Sequence, residues 1–174
     1  MSIQNIPVNG TTFLAEGSTA AVNSAAATSV TIVGNVITVN LTTHGLVVGD
    51  LFTLSGVTGA TGLNDQTWQV ATVVNANSFT ANIAAGSSVA GTPAGTILVQ
   101  RVFQPGPGMA FVSTGANCIV EYSPTNAIPG VPGQTWRTLI AASSQGLAFF
   151  DAVGAVRVRV STGTAGTTRW SLVA

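Results

Sequence analysis

The chain has 174 residues, of which ten carry a formal charge (five Arg, three Asp, two Glu), with no Lys and a net charge of zero. At 6% charged, against roughly a quarter in ordinary soluble domains, it lacks the basic patch that nucleic-acid binding requires, while 46% apolar residues are enough to bury a core. No apolar run approaches the roughly 18–20 residues of a membrane-spanning helix, the N-terminus MSIQNIPVNG has no secretory-signal pattern, and Cys118, the single cysteine, has no internal disulfide partner.

In chain order the local signals are β throughout. A short strand is expected at Thr11–Ala15, followed by residues 15–30, AEGSTAAVNSAAATSV, a small-residue stretch read as linker rather than helix. Then come Ile32-Val33, Val36–Leu41, Leu51–Leu54, Trp68–Val74 and Ser78–Ile83, β-branched and alternating, with Gly, Asn or Asp between them. Residues 84–96, AAGSSVAGTPAGT, have the composition of a second flexible connector. The remaining candidate strands are Ile97–Phe103, Met109–Val112, Cys118–Tyr122, Thr135–Ile140, Leu147–Phe150, Ala155–Val160 and Thr168–Leu172. The expected fold is all-β: an antiparallel β-sandwich, jelly-roll or Ig-like, with a small barrel-like module inserted or in tandem. The expected division is an N-terminal strand and linker over 1–29, the module over 30–83, a linker over 84–96 and the sandwich over 97–174. If the first strand pairs with the C-terminal block, the module is an insertion; two sequential modules are the alternative.

Few residues invite chemistry. His44 sits in an apparent turn, Thr43-His44-Gly45-Leu46, with no G-x-S-x-G nucleophile elbow anywhere, so it reads as a packed turn histidine. Gly56–Gly62 looks like a phosphate-cradling loop, but the chain has no Lys and a strand follows instead of a helix. The His, Cys and carboxylates show no metal-ligand spacing. Sugar hydrolysis would need two carboxylates from Glu16, Asp50, Asp65, Glu121 and Asp151, all separate in sequence. Cys118 reads as a buried small hydrophobe. The sequons at Asn9 and Asn40 matter only in a glycosylating pathway. No catalytic residue, cofactor or metal is expected. In Val156-Arg157-Val158-Arg159-Val160 a strand places both arginines on one face and the valines on the other. That face is expected to be a solvated outer surface or a docking patch. Arg101, Arg157 and Arg159 are therefore candidate interface charges, and Trp68, Trp136 and Trp170 are candidate core or interface anchors.

The hairpins His44-Gly45-Leu46, Val48-Gly49-Asp50 and Ser55-Gly56-Val57-Thr58-Gly59, followed by Leu63-Asn64, Trp68-Gln69-Val70 and Ser78-Phe79-Thr80, carry a likeness. This segment resembles a small β module of bacteriophage virion proteins, similar to the class named for the first catalytic cysteine half-domain of ubiquitin-activating enzymes. With no cysteine in the segment, that name implies no ubiquitin chemistry. Phe111–Ser123, Thr135-Trp136 and Val156–Val160 resemble, more loosely, the sandwich of phage head decoration and fibre proteins. The likenesses imply a non-enzymatic virion protein made in the host cytoplasm. The leading expectation is a capsid decoration (cement) protein, homo-oligomeric with a trimer favoured, whose partner is the major capsid protein or another virion protein. Alternatives are a tail or head-fibre component touching host glycans and, from a different class, a polysaccharide hydrolase. Nucleic acid and membrane are not expected partners.

Overall fold

The computed structural model describes residues 12–17, 24–103, 109–113, 116–124, 128–143, 145–148, 155–163 and 168–173. Its strands are β1 (Thr12–Gly17), β2 (Ser24–Ala26), β3 (Ser29–Val33), β4 (Val36–Asn40), β5 (Leu51–Ser55), β6 (Trp68–Asn75), β7 (Ser78–Asn82), β8 (Leu98–Phe103), β9 (Met109–Ser113), β10 (Ala116–Ser123), β11 (Arg137–Ser143), β12 (Gln145–Ala148), β13 (Ala155–Gly163) and β14 (Thr168–Val173). One 3-10 turn, Thr61–Leu63, interrupts them. Every ladder between these strands is antiparallel. The fold is therefore all-β and antiparallel.

Two sheets result. A ten-stranded sheet runs β11-β10-β13-β8-β5-β6-β7-β4-β3, with β2 added against β8, and a four-stranded sheet runs β1-β14-β9-β12. The N-terminal strand joins the C-terminal block, Thr12 to Gly17 lying opposite Val173 to Thr168. The chain thus leaves that block after β1 and returns to it after β8. β8 is the hinge of the architecture, because it pairs with β5 on one side and β13 on the other.

The core forms where alternation places large side chains inward. Val30, Ile37, Val39, Phe52, Leu54, Leu63, Trp68, Phe79, Ile97 and Val99 belong to one buried cluster. Phe52 and Phe79 meet edge to face at 5.1 Å between ring centroids. The Trp68 indole N–H donates to the Leu63 carbonyl at 3.1 Å, so the largest core side chain is satisfied where it is buried. Cys118, Val120 and Val158 are buried on β10 and β13.

Two readings of composition are corrected. Ser24–Ala26, expected as linker, is a strand, and Ala27 N–H continues its attachment by donating to the Ile97 carbonyl at 2.8 Å. Residues 84–96 are no free connector either. Thr58 and Ala94 exchange backbone hydrogen bonds at 2.8 and 3.0 Å. A Cβ on Gly91 would overlap the Gly59 carbonyl oxygen. The small residues here serve close backbone approach, not flexibility. With β8 paired to β5 and Ile97 and Val99 in the core cluster, that core extends past residue 83.

Candidate functional site

The arginines expected on one face of β13 are on one face, and it is enclosed. Arg157 lies directly opposite Glu121 of β10, and its Nε donates to Glu121 Oε2 at 2.8 Å. Arg159 reaches the same carboxylate from two residues along, with Nε to Oε2 at 3.2 Å and Nη2 to Oε1 at 3.0 Å. Its Nη1 donates to Gln100 Oε1 at 2.9 Å and lies 3.4 Å from Asp65 Oδ1. Arg157 Nη1 donates to Thr67 Oγ1 at 2.9 Å.

The cover is the 128–136 segment that follows β10. Gln66 and Gln134 clasp each other: Gln134 N–H donates to Gln66 Oε1 at 3.0 Å, and Gln66 Nε2 donates to the Gln134 carbonyl at 3.3 Å. Gly130 N–H donates to the Thr67 carbonyl at 2.8 Å. So held, the strap places the Trp136 ring under the Arg157 guanidinium, 4.1 Å from ring centroid to Cζ. Arg157 is 0% exposed. Desolvation pulls its pKa below the ordinary guanidinium value, and the Glu121 charge and hydrogen bond oppose that shift. Its Nη2 and the Trp136 Nε1 are enclosed with no hydrogen-bond partner among the described residues.

The sequence expectation of a solvated or docking face is therefore corrected for Arg157, and nearly so for Arg159, whose side chain is 14% exposed. The physical reason is that the strap and the Gln66-Thr67 corner fold over that face. Arg101 pairs with Asp50 at 3.1 Å and is also mostly buried. Trp68 is core, and Trp136 is the half-buried strap residue. Trp170 stands in β14 opposite Phe111 and Ala15.

His44 is a structural residue. Its Nδ1 accepts the Leu46 N–H at 3.0 Å, which places the ring proton on Nε2, facing the Asn75 carbonyl at 2.9 Å. It packs on Phe79 with centroids 4.9 Å apart. Asp50, Asp65 and Glu121 are each paired to arginine. Glu16 lies in β1 opposite Arg169, and Asp151 is outside the described residues, as is the Asn9 sequon. Among the described residues no group of three His, Cys, Asp or Glu side chains is placed to hold a metal. A half-open cleft of about 190 Å³ sits where the strap meets β6 and β7, lined by Gln69, Ala71, Asn82, Ala84, Pro129 and Gly130, with no carboxylate in its wall.

A second surface escaped the sequence reading. In register across β3, β4, β7 and β6 stand Thr31, Thr38, Thr80 and Thr72, one row of four threonines on the face opposite the core. On one side of the row lie Ser29, Asn40 and Asn75, and on the other Val33, Val36 and Asn82. Val33 is 77% exposed. This sheet face carries hydroxyl, amide and methyl groups and no charge. Each strand shows a threonine in its alternation, but only the long-range register aligns them.

Comparison with family models, with curated proteins and with solved structures finds no match for this chain.

Proposed function

We propose that the chain is a bacteriophage virion structural protein of the capsid decoration type, binding the assembled head and stabilising it. The observation that carries the reading is how its charge is used. Six of the ten charged residues (Asp50, Asp65, Arg101, Glu121, Arg157 and Arg159) neutralise one another in internal pairs. Four of them are committed to one cluster that joins β10 and β13 to the strap and the Gln66-Thr67 corner.

What is left for contact is largely neutral: the threonine face, and exposed Val33, Val47, Val48, Val74, Ile128 and Leu139. A neutral, partly apolar exterior leaves a free monomer poorly protected against association. It suits a chain whose surface is shared with neighbours in a symmetric shell. The motifs of residues 44–80 resembling phage β modules point the same way. The partner in this reading is the major capsid protein, and the assembly on the shell is a homo-oligomer, with a trimer favoured. A ligand that binds only the assembled lattice stabilises it by mass action.

The test is to mix purified protein with undecorated heads of the phage that encodes it. Saturable binding at symmetry-related sites, with raised heat resistance of the heads, is the expected result. Absence of head binding, with binding confined to host cells, overturns it in favour of a fibre component. Release of sugar from host polysaccharide, abolished by substituting Asp50, Asp65, Glu121 or Asp151, would instead identify a hydrolase.

A further inference from the structure

The ten-stranded sheet ends at β3, whose outer side pairs with nothing among the described residues. Its hydrogen-bond phase follows from the hairpin. Gly34, at φ +59°, takes the first central position of a two-residue turn, making Val33 and Val36 a hydrogen-bonded pair. Alternation then turns the N–H and C=O groups of Ser29, Thr31 and Val33 toward β4, and those of Val30 and Ile32 outward. The next ladder agrees, since Leu41 N–H donates to Asn77 and Ile83 N–H donates to Asn35, placing odd-numbered groups of β4 toward β7.

Natural sheet edges are guarded by lysine, proline, bulges or inward charges. The hairpin Ser29–Asn40 has no charged residue, no proline and an unshifted register. It is rich in Val, Ile and Thr, the residues that favour strand pairing.

We propose that β3 pairs antiparallel with β3 of a second copy of this chain, across a two-fold axis at Thr31. The edge is self-complementary about that point. Val30 and Ile32, the two residues with outward backbone groups, each meet the other in the second copy and exchange hydrogen bonds. Thr31 meets Thr31 as a non-hydrogen-bonded pair, with Cβ atoms about 4.5–5.5 Å apart. Val33 lies beside Ser29 of the second copy, and no like charges oppose one another. The row Thr31, Thr38, Thr80, Thr72 then continues in register into its own image, giving one uncharged eight-strand face. A two-fold contact of this kind is isologous and closes on itself, so it yields a dimer and not a fibre. A ladder of five residues makes a weak dimer between free molecules, populated by mass action as concentration rises.

The inference does not rest on head binding, and its test uses the purified full chain alone. Thr31→Cys under mild oxidation is expected to form a disulfide-linked dimer at least roughly tenfold faster than Thr72→Cys, which lies on the same face three strands inward. Cys118 is buried, so the background is low. Equal rates for the two variants overturn the proposal. In sedimentation, the unmodified chain is expected to dimerise as concentration rises. Thr31→Lys is expected to weaken that dimer at least roughly tenfold, because like charges then face each other across the axis, with an unchanged melting temperature at concentrations where both chains are monomeric. A chain that stays monomeric at every concentration, or a dimer that Thr31→Lys leaves intact, also overturns it.

Discussion

Glu121 and Arg157 stand directly opposite on neighbouring strands, 2.8 Å apart from Oε2 to Nε, and both side chains are buried. Arg159 shares the same carboxylate, so one anion holds two guanidinium groups inside the fold. Removing one member of such a cluster costs far more than replacing the whole by apolar groups, since it strands a buried charge.

Glu121→Gln is therefore expected to destabilise the chain by about 3–5 kcal/mol. Adding Arg157→Met to Glu121→Gln is expected to recover part of that loss. Urea unfolding of the two single variants and the double variant closes the cycle. Additive losses would contradict the coupling.

Trp136 covers Arg157 with its ring face. Trp136→Leu keeps an apolar side chain but forfeits the cation–π contact, worth about 2 kcal/mol when desolvated. The expected outcome is a loss of that order in thermal or denaturant unfolding. In the Arg157→Met background the same substitution is expected to cost less.

His44 ties the turn before β5 to the end of β6 through Leu46 and Asn75 and packs on Phe79. His44→Ala removes two hydrogen bonds and leaves the Leu46 N–H buried without its acceptor. A cost of roughly 2–4 kcal/mol is expected. Amide hydrogen exchange is expected to rise first at Leu46 and along residues 43–50.

Gly91 and Gly86 separate crowding from backbone conformation. Both have positive φ, at +98° and +82°, but a Cβ on Gly91 meets the Gly59 carbonyl, while one on Gly86 meets nothing within 4 Å. Gly86→Ala is expected to cost about 1–2 kcal/mol, the penalty of a side chain at positive φ. Gly91→Ala is expected to cost more than about 3 kcal/mol, because two backbone segments must separate. Equal melting temperatures for the two variants would show that 84–96 is not held against 56–59.

The strands were legible because Val, Ile and Thr alternate in short runs and Gly, Asn or Asp punctuates them. Val36–Leu41 against the observed Val36–Asn40, and Trp68–Val74 against Trp68–Asn75, differ by a residue at one end. Small-residue stretches are ambiguous in sequence, because Gly and Ala serve flexible linkers and tight backbone contacts alike. Ser24–Ala26 and 84–96 belong to the second kind. Period-two alternation put Arg157 and Arg159 on one face, but what lies over a face is decided by segments far away in sequence. Gln66, Gln134 and Trp136 are such segments here. The threonine row was hidden for the same reason: each member is ordinary in its strand, and the alignment exists only in the register.

The enclosure of Asp50, Arg101, Glu121, Arg157 and Arg159 reaches into the solution behaviour of the molecule. Salt acts on exposed charges by screening them over a Debye length of about 8–10 Å at ordinary ionic strength. A chain that keeps half of its ten charged side chains enclosed and paired offers electrolyte little to screen at those positions. A contact made through the uncharged threonine face should hold nearly as well in dilute buffer as at physiological salt, and a titration of that contact repeated across the range would return almost the same isotherm.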